Sequence, residues 1–406
     1  MNKHLIPVGL ALTAAIGYIS PASAEEPDTV DPITPYADVR YRLELVDQEG
    51  LPEEAVASTL RLRTGLKSAE WKGFSALIEG ETIVRLGPSE YNDTINGRTS
   101  YPVVADPSDI VLNQAWLRFK PAKEIELTAG RQAINFDNQR WIGSVGWRQN
   151  DQTLDLARAT VQPVKGVKVD YGYAWRVNRI FGPDSPQGVW RDNNIHIVHV
   201  NLEAKPVGTV TAYGYFLDLP DAPLSSSKTV GVRLTGEHKL PGKVKLLYTA
   251  EYANQRDIGP NPHDFSLDYL LLEPGITVGP VTARVGWEEL EGNGVSALQT
   301  PLATLHAFNG WADKFLSTPA NGLRDFYGDV VINLPTIGPV REANTRVQYH
   351  DYNSTHGGLS YGSEWGVMFT APLAKQLSAS FKFSRYNADQ FATDTDKFWF
   401  AIDAKF

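Results

Sequence analysis

Asp396-Lys397-Phe398-Trp399-Phe400-Ala401-Ile402-Asp403-Ala404-Lys405-Phe406 ends the chain, and its reading decides the fold. Phe398, Phe400, Ile402, Ala404 and Phe406 share one side of an extended chain; Trp399, Ala401, Asp403 and Lys405 share the other. A period of two with one apolar side is the pattern of a half-buried β-strand. The pattern recurs upstream. Val167, Val169, Tyr171, Tyr173, Trp175 and Val177 oppose Lys168, Asp170, Arg176 and Asn178, and Leu377, Ala379, Phe381 and Phe383 oppose Ser378, Ser380, Lys382 and Ser384. In a membrane barrel the apolar side looks at lipid, where a mid-plane Arg or Lys costs about 2–4 kcal/mol. The charged side then lines the lumen.

Short turns rich in Pro, Gly and Lys punctuate these strands, as at 120–123, 162–166, 205–208, 239–243, 279–280, 335–338 and 372–375. Longer polar loops lie between them, near 87–108, 133–152, 179–193, 219–228, 256–265, 292–325 and 387–396. Outer-membrane barrels sort short periplasmic turns and long external loops to opposite ends in this way, and a soluble sandwich has no reason to. The count predicts strands near 36–46, 57–67, 73–86, 109–119, 124–132, 153–161, 166–178, 194–204 and 208–218. It continues with 229–239, 243–255, 265–275, 281–291, 325–334, 341–352, 360–371, 376–387 and 396–406. The fold class expected is therefore all-β, a transmembrane antiparallel barrel of about 18 strands. An even number puts both termini on one side, the periplasmic one.

The other end of the chain agrees. Lys3 and His4 precede an apolar stretch from Leu5 to Ile19, and Ala22-Ser23-Ala24 fits the small-residue cleavage pattern of a secretory signal. The apolar core is short of the ~20 residues that a spanning helix needs. The expected organisation is a cleaved signal peptide at 1–24, a short periplasmic segment at 25–35 and the barrel at 36–406. Loss of Lys3 leaves 37 basic residues against 47 acidic, a balance of −10. Mean hydropathy is only −0.27, as expected when alternate residues face water. The 16 Phe, 17 Tyr and 10 Trp are available for interfacial girdles.

Zero cysteines exclude disulfides, thiolate metal sites and cysteine nucleophiles. His196 and His199 lie three apart in a strand and so face opposite ways. No H-x-x-x-H pair and no G-x-S-x-G elbow occurs. No metal, cofactor or nucleic acid is expected, and the chain does not read as an enzyme.

Three segments add a family resemblance. Gly130-Arg131-Gln132, then Phe136-Asp137-Asn138-Gln139-Arg140-Trp141-Ile142-Gly143, then Trp147-Arg148-Gln149-Asn150 form one set. Gln299-Thr300-Pro301-Leu302-Ala303-Thr304-Leu305-His306, Phe308-Asn309-Gly310-Trp311-Ala312-Asp313-Lys314-Phe315 and Asn321-Gly322-Leu323-Arg324-Asp325 form another. Together they resemble the alginate-export family of outer-membrane proteins. The resemblance implies an eighteen-stranded barrel that passes a polyuronate, with Arg131, Arg140 and Arg148 as candidates for a basic constriction. Phe406 resembles the terminal signal read by the barrel-insertion machinery. One departure is the short turn from Ala371 to Gln376, where the exporter that names the family carries a long periplasmic loop.

The lumen side offers further cations: Arg40, Arg42, Arg61, Arg63, Arg118, Arg176, Arg233 and Arg346. A guanidinium takes a carboxylate in a planar fork, and rings of charge select the sign of a permeant. The competing reading pairs these arginines with inward acids such as Asp38, Glu44, Glu81 and Glu251. Parity places Arg131 with Leu127 and Ala129, so only a strand end or bulge turns it inward. Segment 299–325 reads slightly better as a packed external loop than as an infolded constriction.

The function expected is an outer-membrane channel that conducts an anionic polysaccharide through an arginine-lined pore. The alternative is a porin taking up small anions or oligosaccharides. A third class, an enzyme or adhesin carried by the external loops, has no motif in its favour. The partners expected are the anionic saccharide, outer-membrane lipid, the insertion machinery and periplasmic export components.

Overall fold

The computed structural model describes residues 32–336, 340 and 342–406. The signal peptide and all but the end of the 25–35 segment lie outside the described residues, as does residue 341 at the start of one expected strand. Eighteen strands form the wall. They are β1 (Ile33–Gln48), β2 (Ala55–Ser68), β3 (Phe74–Glu90), β4 (Asp109–Ala122), β5 (Ile125–Gln132), β6 (Thr153–Val164) and β7 (Val167–Asn178). A two-residue strand, β8 (Val189–Trp190), pairs only with β7 and stands outside the ring. The wall resumes with β9 (Asn194–Ala204), β10 (Gly208–Asp218), β11 (Ser227–Leu240), β12 (Val244–Asp257), β13 (Ser266–Val278) and β14 (Val281–Leu290). It ends with β15 (Leu323–Asn333), β16 (Asn344–Asn353), β17 (Ser360–Ala374), β18 (Leu377–Ala388) and β19 (Thr395–Lys405).

Every neighbouring pair is antiparallel, and β1 pairs with β19 from Asp38↔Lys405 to Gln48↔Thr395, which closes the barrel. Closure leaves the sheet without a free edge strand, the condition for a sheet to cross a bilayer. Phe406 completes the seam, its backbone exchanging hydrogen bonds with Ala37. The start of β1 and Phe406 therefore sit on one rim, here the terminal rim, together with the short turns. The opposite rim carries the long loops.

The alternation has the expected sense. Leu62, Leu66, Ile78, Leu117, Val230, Phe381 and Phe383 are exposed on the outer wall, while Arg42, Glu44, Arg61, Glu81, Arg233 and Glu251 are buried inside. Burial of so much charge is tolerable because each group has a partner of opposite sign or a backbone group to bond. The interior is not an open tube. Loop 91–108 packs in a separate cluster with β1 and β2, and loops 133–152 and 291–322 fold in from the loop rim and share a core with the wall. That core includes Trp141, Ile142, Leu298, Leu302 and Phe315 of the loops beside Leu156, Tyr215, Tyr269 and Tyr352 of the strands.

Two local features modify the pattern near the loop rim. The β6–β7 register shifts so that Asp155 pairs with Arg176 and Leu156 with Ala174, leaving Trp175 as the extra residue of a bulge. The bulge swaps the faces beyond it, so Val177 is buried and Arg176 turns outward beside Asp155. The other feature is that β5 stops early. Gly130 sits at φ +123°, where a Cβ would collide with the carbonyl of Ala115, and the chain leaves the wall after Gln132 to enter the lumen.

Candidate functional site

The infolded loops meet the wall through two chemically distinct sets of contacts. On the β1–β2 side four arginines stand in adjacent lumen positions, with Arg40 directly opposite Arg61 in the ladder. Each grips the backbone of loop 133–152. Arg40 Nη1 donates to the carbonyls of Gly146, Trp147 and Arg148 at 2.9, 3.0 and 3.2 Å. Arg42 Nη1 donates to Trp147 at 2.7 Å, Arg61 Nη1 to Arg148 at 3.5 Å and Arg63 Nη2 to Gln149 at 3.2 Å. The same guanidinium groups also meet carboxylates: Asp403 with Arg40, Asp106 with Arg42, Asp38 with Arg61, and Glu81 and Asp151 with Arg63. The fork of a guanidinium can serve a carbonyl and a carboxylate together, which an ammonium does less well.

At the centre the three loops are tied to one another. Arg148 Nη1 lies 2.9 Å from Glu44 Oε2 on β1, and its Nη2 lies 3.4 Å from Asp313 Oδ2 on loop 291–322. Asp313 also receives Lys397 Nζ at 2.9 Å and His306 Nδ1 at 2.6 Å. The other nitrogen of His306 faces the ammonium of Lys382. That arrangement fixes the tautomer, with Nδ1–H donating to the carboxylate and the Nε2 lone pair accepting from the lysine. Lys382 is caged by Trp147, Trp311 and Trp399, its Nζ 4.8, 5.2 and 4.6 Å from their ring centroids. Trp147 stacks on His306 at 3.4 Å.

Electrostatics follow from this packing. Burial, with Lys382 and Arg148 nearby, outweighs Asp313 and holds His306 well below its ordinary value, so the ring is neutral. Burial would raise Asp313 and Asp106, but the donors and cations that face them overcome it. His306, Lys397 and Arg148 hold Asp313 well below the usual carboxylate range, and Arg42 with Arg148 lower Asp106.

The stretch of wall beyond β19, from β18 back to β16, is aromatic. Phe315 packs among Tyr352, Tyr361, Tyr386 and Phe391 with centroids 4.5 to 6.2 Å away. Trp141 Nε1 and Tyr213 OH both donate to Glu251 Oε1 at 2.7 Å, and Arg233 faces the same carboxylate. Arg140 Nε lies 2.9 Å from Glu288, and its Nη2 donates to Asn309 Oδ1 at 3.1 Å.

These contacts correct the reading of segment 299–325 as an external loop. Trp311 and Ala312 donate backbone N–H groups to Glu364 of β17, and Asn309 bonds Glu288 and Asp325. Gly310, at φ +85°, lets the chain press against Glu364 and Tyr352, where a Cβ would collide with both. Lumen carboxylates supply the acceptors that buried loop N–H groups need, which is why this loop can leave water.

The sequence-predicted arginines divide into three groups. Arg40, Arg42, Arg61, Arg63 and Arg148 converge on one face of loop 133–152. Arg140, Arg233 and Arg346 lie elsewhere in the lumen, the last held by Asp329, and Arg118 pairs with Glu126 at 3.2 Å. Arg131 and Arg176 look outward, so the three motif arginines are not brought together at one ring. For Arg131 the strand end preserves the parity of Leu127 and Ala129, and for Arg176 the bulge at Trp175 reverses the expected face. All eleven have a carboxylate within 4 Å. Sequence reasoning did not single out Lys382, Lys397, Glu364 or the Trp147 and Trp399 rings. Strand parity could have hinted at the four wall residues, and Trp147 stood in the quoted motif without a role. Among the described residues no cluster of His, Asp and Glu fit to hold a metal is present.

Comparison with solved structures supports the architecture. The fold is similar to Acinetobacter baumannii OccAB4, with a TM-score of 0.74 at 15% identity over 94% of this chain and 100% of that one. Pseudomonas aeruginosa OpdL aligns with a TM-score of 0.70 at 16% identity, over 92% and 98% of the two chains. P. aeruginosa OpdK with vanillate aligns with a TM-score of 0.68 at 12% identity, over 92% and 98%. No curated protein matches the chain. These neighbours are outer-membrane porins with eighteen-stranded barrels, and family and fold alike are of transport-channel type. The family model for alginate export matches residues 38–264, more than half of the sequence, and the chain belongs to that family of bacterial outer-membrane channels.

Proposed function

We propose that the channel passes carboxylate-bearing sugars of the uronate type along the β1–β2 face of its lumen. The observation that carries the reading is the set of four adjacent arginines, Arg40, Arg42, Arg61 and Arg63, fixed on the wall rather than on a loop. They hold the carbonyls of residues 146–149, which are exchangeable ligands. A movement of loop 133–152 would present the same guanidiniums to a permeant carboxylate. Arg140 and Arg148 then act as positioning residues that set the closed loop, and net negative charge elsewhere does not oppose an anion at this face. The even strand number, the shared terminal rim and the sorting of loops by length support periplasmic termini and long loops facing outward.

Two passengers fit this face. Export of a polymer requires all three loops to move. Uptake of a single sugar acid or short oligomer requires less, and the infolded loops favour this second reading. OpdK with vanillate, a small carboxylate, is a neighbour consistent with it. Planar-bilayer recording tests both. Wild type is expected to be anion-selective and blocked by oligouronates but not by neutral oligosaccharides of equal length. Replacing Arg40 and Arg61 by Gln should move the reversal potential toward cations, most at low salt, whereas Lys at both positions should retain selectivity. Cation selectivity in wild type would overturn the proposal. Block by long chains without passage of monomers favours export, and passage of monomers favours uptake.

A further inference from the structure

A second site lies in the wall itself, where β5 ends short of its neighbours. The β4–β5 ladder runs only as far as Ala115↔Arg131, so residues 109–114 of β4 have no strand partner on that side among the described residues. The gap is bounded by β4, the end of β5, the start of β6, the end of β7 and loop 179–193. It encloses a cavity of about 250 Å³. Its lining mixes outer-wall residues such as Ile110 and Leu112 with lumen residues such as Glu81 and Asn113, so the opening passes into the wall rather than lying on it.

Backbone unpaired at membrane depth is tolerated only where something polar meets it. One group is met by the protein, since Arg131 Nη1 donates to the Leu112 carbonyl at 3.0 Å. Three acceptor oxygens at the cavity have no partner: Glu81 Oε1, Asp109 Oδ2 and Asn150 Oδ1. The orientation of Asn150 is not arbitrary, because its Nδ2 donates to the Ile180 carbonyl at 3.0 Å. Glu81 and Asn150 are 1% and 3% exposed. Beside them, on the outer face, Arg131, Asp155 and Arg176 form a cross-strand row, and with Arg179 and Asp109 at the same opening three cations stand against two acids. Outward charge is costly at mid-bilayer and costs little at the headgroup level, where this rim belongs. Ile110, at 81% exposed, and Leu112, at 45%, present apolar surface to lipid next to the row.

An excess cation for an anionic group, unpaired acceptors for hydroxyls and an apolar flank for chains describe an amphiphile with a charged sugar head. We propose that this wall opening binds the phosphorylated sugar headgroup of an outer-leaflet glycolipid. The site is separate from the permeation face, and the inference rests only on the orientation that places the long loops outward. A bound headgroup would fill the seam that β5 leaves open and seal the lumen from the bilayer side.

The test uses the full mature chain in phosphatidylcholine nanodiscs doped with diphosphoryl lipid A, with bound lipid counted by native mass spectrometry. Wild type should retain one lipid A, and phosphatidylglycerol at equal abundance should not replace it. R131Q together with R176Q should weaken retention about tenfold, and R131K should recover it. R385Q, on the outer wall far from the opening, should leave it unchanged. Heat-modifiable electrophoretic mobility checks that each variant is a folded barrel. Single-channel selectivity should be the same in R131Q/R176Q as in wild type, so failure here is distinguishable from failure of the conduction reading. Equal lipid A retention by the double variant overturns the proposal. So does equal binding of phosphatidylglycerol, and so does displacement of lipid A by free galacturonate with a change in conductance, which would make the opening a side branch of the pore.

Discussion

Two parts of the lumen wall hold two infolded loops by different physics. On the β1–β2 side, loop 133–152 is gripped by guanidinium groups shared between carbonyls and carboxylates. On the side of β16 to β18, loop 291–322 buries Phe315 among tyrosines. A charged clamp keeps its strength only while every partner is present and correctly ionised, because an orphaned buried charge is far costlier than the pair is favourable. An aromatic pocket has no such condition. It loses stability in proportion to the surface removed and is indifferent to pH and salt. The charged side is therefore the side suited to move in response to a charged permeant, and the aromatic side is suited to stay.

The sharpest way to break this contrast is Arg148→Gln. The change leaves Glu44 and Asp106 buried with less compensation and cuts the link to Asp313, so the charged tie between loops 133–152 and 291–322 is lost. Removal of one partner from a buried pair costs about 3–5 kcal/mol. Conductance should rise severalfold with frequent openings, while the barrel itself stays folded by heat-modifiable mobility. A wild-type conductance trace from this variant would mean that the clamp does not hold the loop.

Phe315→Ala probes the other side. A truncated buried Phe costs about 3–5 kcal/mol when the site cannot collapse. Here the pocket borders the loop rim at Phe391, which is only partly buried, so the loss should fall at the low end. The expected outcome is a less protected loop 291–322 in hydrogen exchange, with ion selectivity unchanged. A selectivity change as large as that from the arginine variants would erase the distinction between the two sides.

The wall was legible in the sequence because lipid enforces a two-residue period on every strand. β9 and β10 begin and end at the residues that the alternation predicts, 194–204 and 208–218. The interior was legible only in part. Arg148 is 104 residues from Glu44, and Trp311 is 53 from Glu364, so the partners that draw loops inward have no local signature. Segment 299–325 looked external because its polar groups were counted without the lumen acids that receive them. Arg176 shows a smaller failure of the same kind. Period two holds until a bulge intervenes, and the residue that makes the bulge, Trp175, fits the outward side as well as its neighbours do.

The smallest effect expected is the response of the charged side to pH, to which two groups of loop 291–322 contribute with the same sign. His306 is neutral in the docked loop and held below its ordinary value of 6.5, whereas a released, solvated loop would titrate near that value. Below about pH 6.5 the released form binds the extra proton, so acid favours release, by up to tenfold per pH unit until the docked ring itself protonates. Asp313 acts lower. Its docked carboxyl is held below 3.8, so its stabilisation is present above that value and is lost as pH falls further. Both groups therefore open the loop in acid, in two successive windows. Open probability recorded between pH 7.5 and 5 should rise as pH falls. In His306→Asn, which keeps an amide donor toward Asp313 and cannot titrate, that rise should disappear while the opening at still lower pH remains. An identical acid response in the variant would assign the first window to another group. Phe315→Ala should leave the pH dependence as it is in wild type, because the phenol and phenyl rings that pack around Phe315 carry no charge in that range.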